Sequence, residues 1–220
     1  KNVIQQWDAR FAEFKSNKVL RKITWDSEYP HYVGSPGMCS IPKYLSKELD
    51  IKLNTKVEKI IKNSTNDWEL FDDNLNNLGA FDWVISTAPA IQSAEILPEC
   101  YKQRNALMNK KMVGCFSLML GFKRAPSLEW DAALISDADI SWVSINSSKP
   151  GRAKSFSMLV HSTNAWAEKH LSDDSQSVIS YLNKETSRII GHDTNKANHI
   201  SLHAWRYANI NKHPDKRNRF

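Results

Sequence analysis

In "NVIQQWDARFAEFKSN" the apolar residues fall at Val3, Ile4, Trp7, Phe11 and Phe14. That spacing predicts an amphipathic helix with one buried face. A polar connection through Trp25 leads to "YVGSPGMCSIPKYLSKEL", residues 32 to 49. There Ser40 can cap a helix whose first turn accommodates Pro42, because a nitrogen at that place lacks an intrahelical partner. Ile41, Leu45 and Leu49 then stack on one face. Three strand-like runs follow, "DIKLNTKVEKIIKN", "DWELFDD" and "AFDWVIS", with the Asn-rich turn chemistry of "DDNLNNLG" between the second and third. The third run passes through the proline turn of "TAPAIQSAEIL" into a short helix, and another helix is expected over residues 99 to 110. Strands are predicted around "VGCFSLMLGF", "AALIS", "ISWVSIN" and "KSFSMLVH". The clearest helix comes last. Ser172 can cap it, Asp173 and Asp174 favour its positive end, and Gly191 sits where a C-terminal cap belongs. Val178, Ile179, Leu182, Thr186, Ile189 and Ile190 form its apolar face. A final strand, "HISLHAWRYA", precedes the basic tail "NKHPDKRNRF". Strands and helices interleave without a strict βαβ rhythm, so the expected class is α+β or mixed α/β, a mixed and mainly antiparallel sheet with packed helices.

Composition narrows the function classes. With 220 residues and 41% hydrophobic content, the chain can bury one sizeable core or two small ones. No apolar run approaches the roughly 18–20 residues that cross a bilayer, and the polar opening residues do not read as a signal peptide. Three cysteines, Cys39, Cys100 and Cys115, without CxxC spacing, disfavour a disulfide framework and a zinc site. A cytoplasmic setting is therefore expected, with neither membrane nor metal. The net charge of +6 could favour an anionic ligand. Its basic residues are scattered, so no nucleic-acid partner is expected.

Local motifs leave the chemistry open. Gly34 and Gly37 are too close for a P-loop, no lysine follows at its spacing, and no GxGxxG occurs anywhere. The segment reads as a turn feeding a helix or as a ligand-contacting loop. His161, His170 and His203 lie near ordered elements, but there is no HExxH, GxSxG or diagnostic carboxylate pair, so structural roles are favoured for them. Lys149 and Arg152 flank the Pro150-Gly151 turn, where they could grip an anion or simply tip a solvated hairpin. In "HAWRYA", alternation sends His203, Trp205 and Tyr207 to one face. Three rings in a row could wall a flat cofactor or be ordinary core.

Several of these stretches together resemble a known family. "YVGSPGMCSIPKYLSKELDIKLNTKVEKI" is similar to the segment of flavin-containing amine oxidases in which a Gly-Gly-Met-like turn opens a helix and a "T-x-V-x-x-I" pattern follows. "FDWVISTAPAIQSAEIL" resembles the family's strand and "A-x-P-x-x-x-x-x-L" loop. "SWVSINSSKPGR", "VHSTNAWAEKHL" and "HAWRYA" are similar to the bacterial renalase-like branch, NAD/FAD-dependent oxidoreductases. Family members open with a strand and GxGxxG turn that hold the FAD pyrophosphate, and close with a Gly-Asp segment at the flavin. This sequence contains neither. The resemblance therefore implies a fragment. Residues 1–35 and 98–206 would be the substrate-binding region and 36–97 the middle of the FAD-binding domain. Residues 207–220 would be a tail or the start of the return to that domain.

Carried over by motif, Val57 would meet the adenine end of FAD, and Ala88 and Pro89 would line the dinucleotide. Gly37, Met38, Trp205 and Tyr207 would approach the flavin ring, and Trp142 and His203 the substrate. The resemblance implies oxidation of a small molecule, an amine or a reduced nicotinamide-like compound, by hydride transfer to flavin, with oxygen as acceptor. No catalytic residue is assigned. FAD would belong to the full-length protein, this fragment being inactive alone. The alternative is a non-catalytic ligand-binding or interaction domain derived from a flavoprotein.

Overall fold

A computed structural model of the chain describes residues 2–15, 18–24 and 30–211, with the backbone alone at 18–24. The Trp25 connection and the tail from Lys212 onward lie outside the described residues. In chain order the elements begin with β1 (Ile4–Gln6), β2 (Arg10–Lys15), β3 (Lys18–Thr24), β4 (Tyr32–Gly34) and α1 (Ser40–Leu45). Then come β5 (Val57–Lys62), β6 (Trp68–Asp72), β7 (Asn77–Phe81), α2 (Ala90–Ile96) and α3 (Arg104–Met108). The remainder comprises β8 (Met112–Phe122), β9 (Ala132–Ser136), β10 (Ile140–Ile145), β11 (Phe156–Ser162), α4 (Asn164–His170), α5 (Ser175–Ile190) and β12 (His199–Ile210). The class is α+β, as the interleaved pattern predicts. Two units are distinct: Lys1–Leu49 with Val113–Ala208, and Asp50–Met112 with Asn209–Phe220.

The first unit is built on a sheet of order β12-β8-β11-β10-β9-β2-β3. β8 with β11, β11 with β10, β10 with β9 and β2 with β3 pair antiparallel, and β2 with β9 runs parallel. Alternation along β8 and β11 sends Phe116, Leu118, Leu120, Met158 and Val160 to one face, where they meet Val178, Leu182 and Ile189 of α5 and Trp166 of α4. Both helices thus cover the same side of the sheet. Asp174, not Ser172, caps α5: its carboxylate accepts from the Gln176 and Ser177 amides at 3.0 Å each. Gly191 closes the helix at φ 69°, a left-handed conformation that costs glycine little. The apolar face of α5 is the one predicted, with Ile179 only partly buried.

The N-terminal segment is strand rather than helix. Trp7, Ala9 and Phe11 alternate into one cluster with Val33 and Ala132, while Ala12 and Phe14 enter the main core. Both faces of β2 are therefore buried. A register shift between Glu13 and Phe14 breaks the strict alternation, and the resulting spacing imitates a helical one. Helix α1 is likewise shorter than predicted and is not capped by Ser40. It stops at Leu45, buries no residue, and leaves Leu45 and Leu49 exposed. The Ser40 hydroxyl instead accepts from the Gly37 amide behind it.

In the second unit β5, β6 and β7 form an antiparallel meander. The β6–β7 turn is organised by Asp72, whose carboxylate accepts from the Asn74 and Asn76 amides at 2.9 and 2.8 Å. The third strand is displaced from its expected place. It occupies Asn77–Phe81, and residues 82–86 form no ladder among the described residues. Trp83 and Ile85 are 86% and 84% exposed. The helix expected over 99 to 110 shrinks to α3, which is tied to α2 by Arg104 Nε donating to the Ala94 carbonyl. No helix is long and apolar enough to cross a membrane, among the described residues.

Candidate functional site

The face of the large sheet turned away from α4 and α5 carries the residues of chemical interest. Because Leu202 and Ala204 pack into the core, β12 turns His203, Trp205 and Tyr207 to this far face. These rings are not core: Trp205 is 54% exposed and Tyr207 38%. His203 and Trp205 meet edge to face at 4.3 Å. The indole N–H of Trp205 donates to Ser117 Oγ on β8 at 3.0 Å, which fixes the plane of the ring. Cross-strand register continues the row, pairing Ser117 with His161 and His161 with Trp142. A stripe from Trp205 through Ser117 and His161 to Trp142 therefore crosses the sheet on one side.

Burial pushes the Cys115 thiol, two residues before Ser117 on the same strand, above the ordinary cysteine value. His161 is held below the ordinary histidine value, first by burial and then by the Lys149 charge. His170 is structural: its Nδ1 lies 2.6 Å from Asp173 and its ring stacks on Trp166 at 4.2 Å.

The turn holding Gly37 and Met38 precedes α1. Gly34 opens it under tight constraint, since a Cβ there would lie 2.6 Å from the Gly37 carbonyl oxygen. Met38 is 56% exposed, and its sulfur accepts from the Gly34 amide. The Pro150-Gly151 hairpin is not a solvated tip. Arg152 donates to the Gly34 and Pro36 carbonyls, so the hairpin clamps this turn. Its guanidinium is thereby engaged, and the pairing of Lys149 with Arg152 as two anion grips does not hold for Arg152.

In the other unit, Val57 is half-buried at the start of β5. Pro89 stands at the N-cap of α2, and the Ala88 carbonyl accepts from the Ser93 hydroxyl at 2.9 Å. Ala88 opens onto a cleft of about 590 Å³ walled by Ile60, Trp68, Trp83, Leu97 and Tyr101. The structure thus brings His203, Trp205, Tyr207 and Trp142 to one sheet face, and places Val57, Ala88 and Pro89 in a different unit. Sequence reasoning missed Ser117 and the site-facing position of His161. Alternation from the buried Met158 and Val160 sends the odd-numbered residues of this strand, His161 among them, to the opposite face.

No protein-family model matches the chain. Solved structures do. A protoporphyrinogen oxidase from Exiguobacterium sp. 255-15 aligns with a TM-score of 0.65 at 14% identity, over 81% of this chain and 41% of that one. Cyclohexylamine oxidase from Brevibacterium oxydans IH-35A aligns at 0.61 and 12% identity, over 79% and 40%. Reduced UDP-galactopyranose mutase aligns at 0.63 and 10% identity, over 84% and 42%. The likeness is one of fold. This chain spans about two fifths of the length of the structures it matches.

Proposed function

We propose that the chain is part of an FAD-dependent oxidoreductase of the amine-oxidase type, in its renalase-like branch. Its larger unit would be the substrate-binding region and its smaller unit the middle of the cofactor domain. The observation that carries this reading is the His203–Trp205–Tyr207 stripe. Large rings are left open on one sheet face, and the fold is shared with oxidases.

The residues present suit such a cofactor. A dinucleotide needs apolar slots and flat walls, and the cleft beside Ala88 is open and lined mainly by apolar side chains. Val57 and Pro89 would border the adenine end, and Gly37, Met38, Trp205 and Tyr207 the ring end. When bound, a flavin accepts a hydride from the substrate and passes the electrons to oxygen. This chain's residues orient and shield. Trp205, anchored on Ser117, offers a wall of fixed angle, while His203 beside it can donate or accept a hydrogen bond at the substrate. The substrate would be an amine or a reduced nicotinamide-like molecule.

The test is made on the native gene product. It should carry flavin whose visible absorption bleaches when such a donor is added without oxygen. A protein isolated colourless and indifferent to added FAD would instead be a ligand-binding module of the same fold.

A further inference from the structure

The Pro150-Gly151 hairpin is seated on the Gly34–Met38 turn by more than one contact. The Arg152 guanidinium donates to the Gly34 carbonyl at 2.7 Å, to the Pro36 carbonyl at 2.5 Å and to the Pro150 carbonyl at 3.4 Å. A cationic donor makes each of these stronger than a neutral one would. Gly151 adopts φ 73°, and a Cβ there would run into Ser35 Oγ and lie 3.1 Å from Pro36 Cα. A side chain is thus excluded twice, by conformation and by the chain it faces. Within the turn, a Cβ at Gly34 would lie 2.9 Å from Met38 Cα. Gly34 lets the turn close, Gly151 lets the hairpin reach it, and Arg152 ties the two together.

The hairpin is itself held from behind. The buried Trp7 donates its indole N–H to Ser148 Oγ at 3.1 Å, and the Ser148 hydroxyl donates to the Ile145 carbonyl at 2.8 Å. The Lys149 ammonium lies over the same indole, 5.2 Å from its ring centroid. Gly37, on the turn, is a glycine of another kind. Its φ is not left-handed, and among the described residues a Cβ there would meet nothing within 4 Å. Neither conformation nor packing calls for a glycine at this place, and its bare side leaves room for a ligand close to the backbone. Next to it Met38 is more than half exposed, its sulfur accepting from the Gly34 amide at 3.2 Å.

We infer that Arg152 is a positioning residue: with Gly151 it holds the Gly34–Met38 turn so that Gly37 and Met38 meet the flavin ring at a fixed distance and angle. That ring is placed there by the proposed function, on which the inference rests. The stretch "SSKPGR" then has one task along its length. Ser148 and Lys149 fasten the hairpin to Trp7, Gly151 lets it approach, and Arg152 grips the turn. Arg152 touches no ligand; it acts through the backbone it holds.

The test is made on the native gene product with its methionine methyls labelled for NMR, the Met38 signal being assigned with Met38→Leu. Arg152→Met keeps the apolar stem and removes the donors. In the flavin-free protein it should shift the Met38 signal while circular dichroism stays unchanged. With FAD added, it should alter the visible absorption of the bound flavin at saturation. It should also raise the FAD Kd about tenfold, because the turn must then be ordered as the cofactor binds. Arg152→Lys, whose ammonium donates but lacks the planar fork, should move all three readouts in the same direction by less. An unmoved Met38 signal would mean that the turn holds without Arg152. An unmoved spectrum and Kd would mean that the turn's position does not reach the flavin. Either result overturns the inference. If Arg152→Met does not fold, Arg152→Lys decides on the same readouts. A native protein that takes up no FAD overturns the flavin reading and the inference with it. A flavin-bearing protein indifferent to both substitutions overturns the inference alone.

Discussion

The two units of the chain are written in the same apolar alphabet but close to different degrees. In the larger one, Leu118, Leu120, Ile140, Val143, Met158, Val160 and Leu182 are all at most 1% exposed. Seven strands supply a full hydrogen-bonded surface there, and two helices seal one side of it. In the smaller unit the buried hydrophobics among the described residues are Ile60 and Ala94. Leu53, Leu75, Trp83 and Ile85 each remain at least 72% exposed. The difference teaches that an apolar alternating run is only half of a strand. The other half is a neighbour able to take its backbone groups, and residues 82–86 have none among the described residues.

The comparison is broken most sharply by truncating one residue on each side of it. Leu182→Ala should cost about 2–5 kcal/mol in chemical denaturation, because the site is closed on all sides and cannot collapse. Trp83→Ala, although it removes a far larger side chain, should change stability by no more than about 0.5 kcal/mol. Comparable losses in the two variants would mean that the smaller unit buries Trp83 after all.

A smaller effect sharpens the electrostatic side of the larger unit. The folded pKa of His161 lies below the ordinary histidine value of about 6.5, through burial first and the Lys149 charge second. As pH falls through 6.5, the unfolded chain takes a proton that the folded chain refuses. The stabilisation is therefore complete above that pH and is lost as pH drops toward the folded value. Denaturation from about pH 7.5 to about pH 5 should show a decline that His161→Gln reduces, with Lys149 as the neighbouring charge. Identical pH dependence in the two proteins would place His161 in solvent.

How much was legible follows the same divide. The interior strands β8 to β11, the face of α5 and its Gly191 cap could be read because local pattern and tertiary burial agree there. The β1–β2 segment was misread as a helix because β2 is buried on both faces and carries a register shift, so apolar residues recur at helical intervals by coincidence. Ser40 and Ser172 are good caps by type, yet Asp174 stood closer to the first turn of α5 and took the role. Within the candidate site, alternation in "HAWRYA" found the shared face of His203, Trp205 and Tyr207. It could not reveal that the face is open, because exposure depends on what packs against it. Ser117 was invisible for the same reason: its part comes from a hydrogen bond to a residue 88 positions away.

The central claim is that this open face is the working surface of a flavin enzyme, and Trp205 tests it most directly. In the native gene product, Trp205→Ala removes a half-exposed ring whose indole N–H donates to Ser117, so the fold should survive. The measurement is the anaerobic rate of flavin reduction per mole of bound flavin, which discounts any unfolded protein. The account predicts a slower rate and a perturbed bound-flavin spectrum, with unchanged circular dichroism. A per-flavin rate and spectrum identical to those of the parent protein would contradict it and return this strand to the scaffold.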